Sequence, residues 1–399
     1  MAGFGRKVNS SGLSVGAKIG IAVAVAAVVA GVILAIVFLR PADAPTPGAD
    51  ENAGAGADTV IHLISGGDVN VTDKVVNAGG SNYDYSDVFL DVMPILSGGD
   101  LTTVNFEGNL YEEPYGSKHN SAPVQLVQAL RNAGVDILQT ANSKSVTNGI
   151  LGLASTLDGI SSAGLQSVGT YATQEQFQRY QGFLIREVNG IRIAITAFTK
   201  GMDGRGLPGG SEHCVNLLYE DYNSAYQKVD EDGINAVLKA IEKQKPDITV
   251  ALLHWGSEFN DQISKTQEKI IDIMADGGVD AIVGTHPHYV QRIGFDSETG
   301  MLIAYSLGDL LGDGDKAGTD YSVILDMEIT RSGATGQVSI TGYDYVPIYR
   351  YESESGEVRL LRIREALTAY ENSSIDTVTP EAYEAMKNAL TRIDSRVNG

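Results

Sequence analysis

From residue 59 onward, short apolar runs alternate with amphipathic stretches, the pattern of an α/β domain. Runs at 60–64, 101–106, 135–139, 248–253, 279–283 and 301–305 predict strands. The segment GFLIREVNGIRIAITAF, 182–198, predicts a hairpin turning at Asn189 and Gly190, because a type I′ turn requires positive φ at both central positions. Helices are predicted at 122–133, ended by Gly134, and at 264–276, ended by Gly277 and opened by Ser264 and Gln267 at capping-box spacing. A last helix, 379–393, opens with Thr379 and Pro380 and repeats Tyr383, Met386, Leu390 and Ile393 at helical spacing. It reads as a docked amphipathic helix without chemistry of its own.

The N-terminal pattern differs. Residues 19–39 are uncharged and apolar on every face, and at ~1.5 Å per residue they are long enough for the ~30 Å hydrocarbon core of a bilayer. Arg6, Lys7 and Lys18 precede this run, while Asp43, Asp50, Glu51 and Asp58 follow it. The positive-inside bias then puts residues 1–18 in the cytoplasm and the bulk of the chain outside, on a single anchor in the cell membrane. A cleaved signal peptide is the rival reading, since Ala42-Asp43-Ala44 resembles a cleavage site, but the apolar region exceeds the usual ~7 to 15 residues. Residues 40–58, rich in Pro, Ala, Gly and acid, predict a solvated tether.

Charge and cysteine content narrow the function. The 50 acids and 29 bases leave a net charge of -21 with no basic stripe, which argues against a nucleic-acid partner. Cys214 is the single cysteine, so no intramolecular disulfide and no thiolate-rich metal site forms.

The informative residues follow the strands. The predicted strand ends carry Gly66-Gly67-Asp68, Asn105-Phe106-Glu107-Gly108, Thr140-Ala141-Asn142, His254-Trp255-Gly256-Ser257-Glu258, Gly284-Thr285-His286-Pro287-His288 and Ser306-Leu307-Gly308-Asp309. In open α/β sheets the carboxyl ends of strands face one crevice, so these groups converge. Carboxylates, an amide and imidazoles together suit a divalent cation, with Mn, Mg, Zn and Fe all compatible. In His286-Pro287-His288 the proline stiffens the turn and fixes the separation of two rings. Taken singly, each has a plainer explanation: Asp68 as a turn residue, Glu107 as an edge charge, Trp255 as core packing, His62 and His213 as hydrogen-bonded surface histidines.

The ordered set GGDV, NFEG, TAN, HWGSEF, GTHPHYVQ and YSLGDL, spread over 60–310, resembles the bacterial capsule-synthesis CapA family of poly-γ-glutamate biosynthesis proteins. The resemblance implies a four-layer α/β/β/α metallophosphatase-like sandwich over 59–350, followed by a helical extension at 351–399. It implies a metal shell of Asp68, Glu107, Asn142, His254, His286 and His288, catalytic roles for His254 and Glu258, and Trp255 in the substrate pocket. Two departures stand out. The family's TANNH reads Thr140-Ala141-Asn142-Ser143-Lys144 here, which loses an amide and an imidazole and leaves Lys144 as the substituting cation. The family's YSLGN ends in Asp309, an extra carboxylate in the substrate pocket that offsets the lost ligand. Two classes of function follow: a metal-dependent hydrolase acting on an anionic polymer or phosphoester, or a catalytically weakened partner of other capsule or polyglutamate synthesis components.

Overall fold

Every apolar run read as a strand forms one in the computed structural model, which describes residues 56–374 and 378–398. The first sheet contains β1 (Thr59–Asn70), β2 (Leu101–Glu107), β3 (Ile137–Gln139), β4 (Gln166–Val168), β11 (Asp309–Leu311), β12 (Tyr321–Arg331), β13 (Val338–Glu352) and β14 (Val358–Arg362). Its order is β14-β13-β12-β1-β2-β3-β4, with β11 also paired to β1. The second contains β5 (Phe183–Val188), β6 (Ile191–Thr199), β7 (Ile248–His254), β8 (Ala281–Thr285), β9 (Ile293–Phe295) and β10 (Leu302–Ala304), ordered β5-β6-β7-β8-β10-β9. Strands β1 to β4 run parallel, as do β6, β7, β8 and β10, so their carboxyl ends share a direction within each sheet.

Local chemistry explains the boundaries. Asn189 and Gly190 join β5 to β6 with φ of 49° and 80°, the positive values a type I′ hairpin needs. Helix Val124–Ala133 stops at Gly134, which takes φ 109°. Helix Lys265–Asp276 begins with the full capping box of Ser264 and Gln267, and helix Pro380–Val397 with the Thr379 side chain accepting from the Ala382 amide; each cap contributes about 1 kcal/mol.

Three apolar clusters set the layers. Ile61, Leu63 and Leu101 of the first sheet meet Ile193, Val250, Leu252 and Val283 of the second in one core. The other face of the first sheet, with Ile64, Val104 and Phe106, packs on Leu126, Val127 and Leu130 of helix Val124–Ala133. The far face of the second, with Ala251, Leu253 and Ile282, packs on helix Glu231–Glu242 and helix Lys265–Asp276. The order is helix, sheet, sheet, helix. Strands β2 and β7 are buried along their whole length, as parallel strands covered on both faces must be. Met386, Ala389, Ile393 and Val397 of the last helix join the inter-sheet core.

The antiparallel strands β12, β13 and β14 extend the first sheet beyond the predicted strands, and the domain edge expected at 350 falls inside β13. The segment 1–18, the apolar run at 19–39 and most of the 40–58 tether lie outside the described residues. Among the described residues no helix is long and apolar enough to cross a membrane.

Candidate metal centre

Strand alternation aims the polar side chains. On β2, Leu101 faces the inter-sheet core while Val104 and Phe106 face the helices, so period 2 brings Asn105 and Glu107 to the inner face at the strand's end. On β7, Ile248, Val250 and Leu252 point inward; His254 follows them, and Leu253 and Trp255 point the other way. Close backbone approach assembles the rest. A Cβ on Gly67 would lie 1.9 Å from the Gly308 carbonyl oxygen, and one on Gly284 would lie 2.0 Å from that of Tyr305. Only glycine lets β1 meet the Gly308 turn, whose carbonyl accepts the Asp68 amide at 3.0 Å, and lets the end of β8 pack against Tyr305 just after β10.

Six side chains meet there. Ligand atoms of Asp68, Glu107 and His254, of Glu107, His286 and His288, and of Asp68, His288 and Asp309 each lie within 4.8 Å of one another, and all six residues are buried. The His254 and His286 rings are 4.4 Å apart, and those of His286 and His288 are 6.2 Å apart. His286 and His288 flank Pro287 with φ of 93° and 57°, a conformation that costs about 1–3 kcal/mol per non-glycine residue and is held where a site requires it. The His286 amide donates to Asp68 Oδ2 at 3.0 Å, which ties the turn to the first sheet.

The donor set fits a divalent cation. Glu107 Oε2, His254 Nε2 and His286 Nδ1 are buried without a hydrogen-bond partner, a costly arrangement that a shared cation would resolve. Supporting contacts orient the ligands: Thr199 Oγ1 lies 3.2 Å from His254 Nδ1, and Asp309 Oδ1 lies 2.7 Å from His288 Nδ1. Burial and the neighbouring Glu107 charge push Asp68 up to about 8. Burial holds His254 below its usual value and, with the nearby Lys200 charge, holds His286 well below it; both stay neutral and competent as ligands. Against burial, the Asp309 carboxylate keeps His288 well above its usual value.

A prediction follows from Asp68. Below about 8 a cation must displace the Asp68 proton, and His288, held above its usual value, must also give up a proton to ligate, so metal affinity should rise with pH through about 8. Metal titrations across that range check it; an affinity independent of pH would remove Asp68 from the ligand set.

Not every residue expected in the centre takes the expected place. Asn142 is buried beside the cluster, but its amide donates to Asn105 Oδ1 at 3.0 Å and the Phe106 carbonyl at 2.7 Å, while its Oδ1 accepts the Lys144 amide at 3.0 Å. It braces Asn105, whose amide in turn donates to Asp68. Lys144 Nζ pairs with Asp203 Oδ2 at 2.7 Å. Glu258 lines a crevice of about 240 Å³ together with His286, Ser143, Lys200, Asp203 and Tyr226. Trp255 corrects the sequence reading: it is fully buried, stacks on Tyr305 and donates to that residue's carbonyl at 2.9 Å, because a residue adjacent to His254 on a strand must face the opposite side. Three residues of the site were not anticipated. Asn105 carries the same alternation signal as Glu107, two positions on; Ser143 donates to Glu107; and Lys200 follows the end of β6 as the other polar groups follow theirs.

Residues 62–314 match the family described as bacterial capsule synthesis protein PGA_cap. The chain belongs to this family. Of its relatives, the capsule biosynthesis protein CapA of Bacillus anthracis is 28% identical over 272 residues, covering 65% of this chain and 61% of that protein. The PGA biosynthesis protein CapA of Bacillus subtilis is 26% identical over 296 residues, covering 72% of each. The chain therefore spans less than two thirds of the length of the first relative. Similar solved structures include the calcineurin-like phosphoesterase YfkN of Bacillus subtilis, 13% identical with a TM-score of 0.45 over 83% of this chain and 100% of that one. A phosphatase of Mycoplasma pneumoniae is 16% identical with a TM-score of 0.44 over 73% of this chain and 95% of that one.

Proposed function

We propose that this chain is a membrane-anchored, extracytoplasmic component of capsule or poly-γ-glutamate synthesis and export, working through a divalent-metal centre held by Asp68, Glu107, His254, His286 and His288, with Asp309 orienting His288. The observation that carries the reading is the buried acid–imidazole cluster with three unpartnered ligand atoms, in a chain of the capsule-synthesis family. A divalent cation supplies Lewis acidity toward a carbonyl or phosphoryl oxygen and toward water. The residues at 143 and 144 favour binding over turnover. Ser143 is engaged with Glu107, and Lys144 is tied to Asp203; burial lowers the lysine, but Glu107 and Asp203 outweigh it and hold it above its usual value. An ammonium held in that state is a poor proton donor at neutral pH. The anchor rests on the apolar run at 19–39 and the flanking Arg6, Lys7 and Lys18.

The test is made in cells. External protease on intact cells should cut the tether at 40–58 and release the domain, and cells whose only copy carries Glu107→Gln should hold less surface polymer than wild type. Protection of the domain until lysis would place it inside; unchanged polymer with the variant protein present at normal level would separate the centre from polymer synthesis.

A further inference from the structure

A second functional feature lies beside the cluster. Strand β6 ends at Thr199, which supports His254, and the next residue, Lys200, leaves the strand with its amide donating to the His254 carbonyl at 2.8 Å. Its side chain lines the same crevice as His286. There Lys200 Nζ donates to the Gly256 carbonyl at 2.6 Å and stands 4.6 Å from the centre of the Tyr226 ring. A Cβ on Gly201 would lie 2.1 Å from the Tyr222 carbonyl oxygen and 2.7 Å from Tyr226 Cε1, so the backbone after Lys200 is pressed against the segment that carries the aromatic ring. The stem is fixed between a strand end and a packed loop.

The two lysines near the centre differ in their partners. Lys144 is neutralised by Asp203 at 2.7 Å, whereas among the described residues Lys200 has no carboxylate within 4.0 Å. Asp203 and Glu258 act on it only across the crevice, and burial outweighs them, lowering its proton affinity. An ammonium carries three donors, and the Gly256 carbonyl takes one. A partly buried cation without a counter-charge, next to ligand-bearing imidazoles and within a chain of net charge -21, is arranged to accept an anion that the rest of the surface repels.

We infer that Lys200 is a ligand-positioning residue that receives an anionic oxygen, carboxylate or phosphoryl, of the molecule handled at the metal centre. The inference rests on the function proposed above for what that molecule does, and on the crevice alone for where its charge sits. Lysine provides a compact point charge, which accepts either kind of oxygen without the two-pronged geometry that arginine imposes. The ligand's charged group therefore binds at the β6 end of the crevice.

The test titrates two probes, inorganic phosphate and a short γ-linked glutamate oligomer, calorimetrically into the metal-loaded full chain. Wild type is compared with Lys200→Met, Lys200→Gln, Lys200→Arg and, as a control, Lys228→Met, which removes an exposed lysine paired with Glu220. At least one probe should bind wild type, weaken about tenfold or more in the Met and Gln variants, and recover most of its affinity in the Arg variant, with the control at wild-type level. The probe that shows this pattern identifies the source of the anionic oxygen. Equal binding in wild type and both uncharged variants, at matched melting temperature, overturns the inference, and so does a wild-type chain that binds neither probe. Metal content, measured on the same samples, tests the metal centre separately: a chain without metal that still binds a probe through Lys200 sinks the centre and keeps this site.

Discussion

Divalent-metal content should fall well over tenfold in full-length His254→Ala and His286→Ala chains and stay at the wild-type level in His62→Ala and His213→Ala. The first pair are buried rings 4.4 Å apart, and each offers a nitrogen without a hydrogen bond, that of His254 lying 3.4 Å from the fellow ligand Glu107. Losing an outer-shell partner alone costs about 10–100-fold in metal affinity, so losing a ligand costs at least that. The second pair are committed elsewhere. His62 Nδ1 pairs with Asp326 at 2.9 Å on a ring 43% exposed, and His213 Nε2 lies 3.6 Å from Cys214 Sγ. Elemental analysis of the four purified variants decides the matter, with melting temperatures recorded so that loss of metal is not confused with loss of fold. Equal metal in all four would make the cluster a structural network and leave the centre without a basis.

The site was legible in the sequence wherever a polar residue closed an apolar run beside a small one. Asp68 and Glu107 sit directly beside a glycine and His254 and His286 two positions from one, and parallel strands carry such ends in one direction within each sheet. Facing was harder to read than position. His254 and Trp255 are adjacent, and alternation allows only one of them to reach the crevice; the inward apolar set of β7 selects His254. The same rule, applied to β2, would have found Asn105. Lys200 was hidden for another reason, because a single lysine closing an apolar run has the pattern of an ordinary solvated strand end. The partnership of β1 with both β11 and β12 depends on contacts hundreds of positions apart, such as Asp68 opposite Asp309, and no local pattern encodes such pairings; β12 to β14, by contrast, pair as successive local hairpins.

Restoring an amide and an imidazole with the double variant Ser143→Asn, Lys144→His should raise phosphodiesterase activity by about 10² to 10⁴ at unchanged metal content, from a wild-type level that is low or absent. In the wild type, Ser143 holds Glu107 by a hydrogen bond, and Lys144 is an ammonium paired with Asp203, with the Glu107 charge nearby. Neither side chain supplies a neutral-pH proton donor near a leaving oxygen. The six-residue cluster that would hold the cation contains neither of them, but Ser143 supports the ligand Glu107, so metal content measured in both chains is what separates turnover from metal binding. Losing the Lys144–Asp203 pair costs the fold little, because such part-exposed pairs contribute about 1 kcal/mol or less, whereas Ser143 is buried, so melting temperatures are recorded for both chains. The assay uses a chromogenic phosphodiester and full-length chains, with metal measured in both. A brisk wild type that the variant does not exceed would show that the lysine is no handicap, and the chain would then be an active hydrolase of a cell-surface substrate. A gain at constant metal would mean that this chain keeps the ligands while its residues at 143 and 144 hold the chemistry back, as expected of a protein retained to bind and guide polymer.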